Sequence, residues 1–89
     1  MNEFVDITGA RVLSGYVLEL TWADGLVTNV DVEPYLWGPA FEPLREPSAF
    51  ATVTVDTDAG TVVWPATGAD LSPEELRLKS RPAVADAEE

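Results

Sequence analysis

Acid–base chemistry in this chain would fall to carboxylates, because the 89 residues include no His and no Cys. Paired carboxylates can serve as general acid and base without an imidazole, and the candidates are Asp24, Asp31, Glu33, Asp70, Glu74 and Glu75. Most have a structural duty in view. Asp24 belongs to an Asp-Gly turn, and Glu74 and Glu75 open a helix, where negative charge complements the dipole. Asp70 lacks such a duty, and its expected role is to accept backbone N–H groups in the 68–71 loop. A hydroxyl nucleophile would be Ser14, Ser48, Ser72 or Ser80, with no base at hand except Lys79. No Gly-rich phosphate loop and no Gly-x-Ser-x-Gly elbow occurs. Asp56-x-Asp58-x-Gly60 starts like a calcium loop, but its glycine falls one position early and Thr67 stands where a bidentate Glu should close it. No catalytic residue, metal site or cofactor is therefore expected.

The chemistry that remains is recognition. The chain carries 16 acids against five bases, a net charge of −11. Residues 1–44 hold seven acids against Arg11, residues 45–76 six against Arg45, and residues 77–89 three of each, so the first 76 residues carry the whole imbalance. Such a surface repels phosphate backbones, which argues against direct nucleic-acid binding. It either serves solubility alone or attracts basic partners and speeds their encounter. Three tryptophans in so short a chain could all be core residues. Trp22 and Trp64 share apolar strand faces and are expected in the core. Trp37, in Tyr35-Leu36-Trp37-Gly38-Pro39, follows no periodicity; core packing is the expectation, while exposure beside Tyr35 would make it an interface anchor.

The elements that must hold these residues can be read from turn chemistry. A chain this short forms one domain and buries roughly 60–65% of its unfolded surface. Residues 5–12 read as an edge strand interrupted by Gly9. Residues 17–22 and 26–32 flank Ala23-Asp24-Gly25, a hairpin turn. A three-residue loop with Gly25 left-handed sets Trp22, Leu20 and Leu18 opposite Leu26, Thr28 and Val30, whereas a two-residue loop sets them opposite Val27, Asn29 and Asp31. The apolar match selects the former. Pro34, Pro39, Pro43 and Pro47 then forbid a long helix or central strand. The large apolar residues between them predict an irregular connection packed on the core, with helical turns near 41–44 and 48–50. A second hairpin joins residues 52–56 and 61–64 through Thr57-Asp58-Ala59-Gly60, pairing Val55 with Val62 and Val53 with Trp64. Ser72-Pro73-Glu74-Glu75 opens a short helix with Ser72 as N-cap, a capping box from Glu75, and Leu71 and Leu76 spaced as a hydrophobic staple. Arg77 and Lys79 suit its C-terminal end, and Pro82 stops it. Residues 1–80 form the domain, and residues 81–89 an unstructured acidic tail.

Two stretches together carry a resemblance: Gly38-Pro39-Ala40-Phe41-Glu42-Pro43-Leu44-Arg45, and Trp64-Pro65-Ala66-Thr67-Gly68-Ala69-Asp70-Leu71-Ser72-Pro73-Glu74-Glu75-Leu76. They resemble the small bacterial proteins of the domain of unknown function 2442 family, with its Trp-Pro-x-Gly-x-Asp-Leu-x-Pro-Glu/Asp-x-Leu hallmark and a preceding Phe-x-Asp-Gly hairpin, here Trp22-Ala23-Asp24-Gly25. One departure is that both Ala66 and Thr67 separate Pro65 from Gly68. The similarity covers about residues 4–78. It implies a small α+β domain of antiparallel hairpins with a short C-terminal helix. It also implies kinship with antitoxin-like proteins encoded beside small basic, toxin-like partners, and it brings no catalytic residues with it.

The expectation is thus a non-enzymatic, antitoxin-like interaction module for a small basic protein. Its contact surface would use Tyr35, Trp37, Phe41, Asp70, Glu74 and Glu75. The alternatives are a small-molecule or peptide pocket roofed by Tyr35 and Trp37, for which a cavity of about 300 Å³ would speak, and a ligand-free homodimer through the 5–12 edge strand. With no signal-like segment at Met1 and no apolar run long enough to span a bilayer, the expected location is the cytoplasm.

Overall fold

The first hairpin sets the frame. In the computed structural model, which describes residues 5–82, β1 (Ile7–Ser14), β2 (Val17–Trp22) and β3 (Val27–Asp31) form an antiparallel meander. Gly25 takes φ 92°, and Leu18 faces Val30 while Leu20 faces Thr28. This is the register selected by the apolar match. Leu18, Leu20, Trp22, Thr28 and Val30 consequently point to one buried face. β1 is an edge strand shifted along the sequence relative to the expected 5–12, and its pairing slips between Ile7 and Gly9, a bulge at the interrupting glycine.

The proline-rich middle is built from short turns, as its composition requires. Two 3₁₀ turns (Glu33–Tyr35 and Glu42–Arg45) and α1 (Pro47–Phe50) each place a proline at the first or second position, where a missing N–H costs nothing. Leu36, Leu44 and Phe50 drop from these turns into the core. Polar bonds tie the segment down: Arg45 Nε donates to the Leu36 carbonyl at 2.8 Å, and the Tyr16 hydroxyl donates to the Arg45 carbonyl.

β4 (Thr54–Asp56), β5 (Thr61–Trp64) and β6 (Ala69–Asp70) make a second, three-stranded antiparallel sheet. Val55 pairs with Val62 as expected, but β4 starts at Thr54, so the ladder ends before Val53 and Trp64. Asp56 Oδ1 accepts from the Asp58 and Ala59 amides at 3.0 and 3.3 Å, closing the turn. Gly60 follows at φ 72°. Trp64 is fully buried between the two halves, stacked on Phe50 at 5.6 Å and edge-on to Phe41 at 6.4 Å. Its indole N–H, which must not be stranded in the core, donates to the Phe50 carbonyl at 2.9 Å.

α2 (Pro73–Lys79) closes the core with Leu76, and Ser72 Oγ accepts from the Glu75 amide as N-cap at 3.4 Å. The chain then does not leave the domain at residue 80. Arg81 and Pro82 form β7, pairing with Asn29 and Thr28 at the far edge of the meander and giving the sheet order β1-β2-β3-β7. The boundary expected at residue 80 therefore falls short of this strand, and the rest of the expected tail, residues 83–89, lies outside the described residues. The architecture is a small α+β domain of antiparallel strands with a short C-terminal helix. Among the described residues no helix is long and apolar enough to cross a membrane.

Candidate functional site

The chain leaves β3 through an Asx turn, in which Asp31 Oδ1 accepts from the Glu33 amide at 3.0 Å. The 3₁₀ turn that follows presents Tyr35. Its hydroxyl reaches across to α2 and donates to Glu75 Oε2 at 2.8 Å. Burial first, and then the hydrogen bond and charge of Glu75, push the Tyr35 phenol up to about 12. The reciprocal half of the expected capping box is accordingly absent. The Glu75 carboxylate serves Tyr35 instead of the Ser72 amide, exchanging a local cap for a contact that ties helix to turn.

Leu36 next adopts φ −88° and ψ 64°, and the Trp37 amide donates to the Tyr35 carbonyl at 2.9 Å. That is an inverse γ-turn. It sends Leu36 into the core and Trp37 outward, where Trp37 is 72% exposed. The core position expected for it is thus overturned: a three-residue turn, which leaves no trace in apolar periodicity, decides its direction. Gly38, at φ 89°, then turns the chain so that Phe41 and Glu42 donate back to its carbonyl.

Tyr35 stands as a wall between two grooves. The smaller, about 350 Å³, is lined by Tyr35, Trp37, Phe41 and Leu71 with residues 38–40 between them, and is almost wholly apolar. The larger, about 600 Å³, lies between β3, the Tyr35 turn and α2, and its walls are mixed in charge: Asp31, Glu75, Lys79 and Arg81 surround Asn29, Val17, Val30 and Pro34.

Of the residues expected at a contact surface, Tyr35, Trp37 and Phe41 share the smaller groove, and Glu75 joins Tyr35 at the larger one. Asp70 and Glu74 are exposed and line neither. Asp70 was expected to cap its loop. It lies in β6 opposite Val63, and among the described residues its carboxylate makes no hydrogen bond; the loop is closed by Thr67 Oγ1, which accepts from the Ala69 amide at 3.3 Å. Sequence reasoning missed Asn29, Lys79 and Arg81, because their meeting depends on β7, where the sequence reads as a tail.

The remaining charged groups stabilise the frame. Arg77 donates to Asp24 Oδ2 at 2.9 Å, and its guanidinium lies 4.8 Å from the centre of the Trp22 ring, so it fastens α2 to the first turn besides suiting the helix end. The Arg77 hydrogen bond, with one from the Leu26 amide, holds the Asp24 carboxyl below its ordinary range. Arg11 does the same for Glu19 across β1 and β2. Among the described residues no three His, Cys, Asp or Glu side chains are grouped to hold a metal.

Two antiparallel sheets, a proline-turned middle and a capping helix, with an exposed tryptophan beside an apolar groove, define a small α+β domain. The chain belongs to the family described as protein of unknown function (DUF2442), whose model matches residues 7–82. No curated protein and no solved structure matches it.

Proposed function

We propose that this chain is a non-enzymatic, antitoxin-like interaction module of the cytoplasm that binds and covers a small basic partner protein. The observation that carries the reading is Trp37, 72% exposed on the rim of an apolar groove in a chain of net charge −11. An exposed ring continuous with an apolar groove makes a patch of the kind that partners cover. Aromatic anchors seated in desolvated pockets dominate binding energy. Glu33, Asp70 and Glu74 add exposed negative charge from neighbouring parts of the chain, which steers a basic partner without consuming the groove. The docked partner would have its own functional surface occluded.

Affinity capture from the native host at low and moderate salt, with bound proteins identified by mass spectrometry, tests this. A single small basic protein should be recovered, released as salt rises, and lost with Trp37→Ala or with Asp70→Lys/Glu74→Lys. Recovery unaffected by Trp37→Ala would remove the anchor from the mechanism. A second reading, a small molecule or short apolar peptide held by the same rings, is favoured by the 350 Å³ volume of the groove. It predicts an empty capture and a ligand that quenches Trp37 fluorescence.

A further inference from the structure

The distribution of cations singles out the larger groove. The chain has five Lys and Arg residues, and three are engaged by the protein itself. Arg11 pairs with Glu19, Arg45 donates to the Leu36 carbonyl, and Arg77 pairs with Asp24 over Trp22. Lys79 and Arg81 have no side-chain partner among the described residues, and both line the same groove. The two acids in that groove form no ion pair with them among the described residues: Glu75 accepts from the Tyr35 hydroxyl and Asp31 from the Glu33 amide. In a strongly acidic protein, the only cations without protein partners among the described residues have been gathered into one concavity.

A second observation is independent of charge. Asn29 lines this groove, and its Oδ1 is buried with no hydrogen-bond partner among the described residues. A buried acceptor left without a partner costs stability and calls for a donor. Asn29 and Arg81 are direct cross-strand partners, so their side chains leave the sheet about 5 Å apart. That spacing suits a group carrying an anion and an N–H donor within one residue.

We infer that the groove between β3 and α2 binds the C-terminal end of a peptide chain: its α-carboxylate is held by Arg81 and Lys79, the N–H of its last residue donates to Asn29 Oδ1, and its last side chain rests on Val17 and Pro34. The site is separate from the Trp37 groove and does not depend on the function proposed for it. Tyr35 forms a wall of both.

The test is an amide NMR titration of the full chain with N-acetyl-Ala-Leu bearing a free carboxylate, alongside its C-terminal amide. The free acid should produce saturable shifts at the Asn29 side-chain amide and at the Lys79 and Arg81 backbone amides. Amidation should weaken binding about tenfold or more, since it removes the charge-assisted bonds. Lys79→Gln/Arg81→Gln should do the same while the Trp22 indole resonance stays in place, and Asp58→Asn, in the distant turn of the second hairpin, should leave affinity unchanged. Absence of saturable shifts at millimolar peptide, equal binding of the amide, or equal competition by acetate alone would each overturn the inference.

Discussion

The buried bond between Trp22 and Thr28 helps to hold the frame that carries both grooves. Trp22 Nε1 donates to Thr28 Oγ1 at 2.9 Å, and both residues are 2% exposed. Thr28→Val preserves shape and opens no cavity, but it leaves the indole N–H buried without an acceptor. Stranding such a donor costs about 1–3 kcal/mol, offset in part by the added methyl, for a net loss of about 1–2 kcal/mol. In a domain of this size that lowers Tm by roughly 5–15 °C. Urea and thermal denaturation followed by far-ultraviolet circular dichroism measure the loss. The control is the same substitution in a Trp22→Phe background, where no donor remains to be stranded. There Thr28→Val should be near neutral, giving a coupling energy of about 1 kcal/mol or more. Equal costs in both backgrounds would refute the reasoning, since the penalty would then come from β3 packing and not from the indole.

Three further outcomes are expected. Trp37→Ala should cost at most about 1.5–2 kcal/mol in urea denaturation, because roughly 70 Å² of the ring is buried, against about 3–5 kcal/mol for Trp64→Ala in the core; acrylamide should quench the Trp37 emission selectively. The Tyr35 phenol is raised in the folded state, so its contribution is complete below an unfolded value near pH 10 and is lost as pH rises through about 12. The stability advantage of the native chain over Tyr35→Phe should therefore vanish across that window, with phenolate absorbance following it. Gly60→Ala should destabilise by about 1–3 kcal/mol, since a side chain at φ 72° is strained and its Cβ would collide with the Asp6 carboxylate; a thermal melt reads the shift directly.

The elements governed by neighbours in the chain were legible in the sequence. Apolar alternation and the demands of an Asp-Gly turn selected the register of the first hairpin, because a one-residue slip would have exposed Leu18, Leu20 and Trp22 together. Proline spacing predicted the short turns of the middle segment, and Ser72-Pro73 predicted the start of α2. The sites were less legible, because their partners are distant in sequence. Glu75 has the spacing of a capping box, yet its carboxylate finds Tyr35 at a separation of 40 residues. Arg77 suits a helix end and is also recruited by Asp24, 53 residues away.

What the sequence determined alone is a small, acidic α+β chain with two hairpins, a capped helix and tryptophans on two strand faces, all consequences of local sterics and periodicity. Tertiary structure decided the rest. The inverse γ-turn at Leu36 turned Trp37 out to solvent, and the addition of Arg81 and Pro82 to β3 closed the charged groove. Both are choices among backbone conformations of similar local energy, so they are settled by what the finished core has room to bury and which strand edge remains open to receive them.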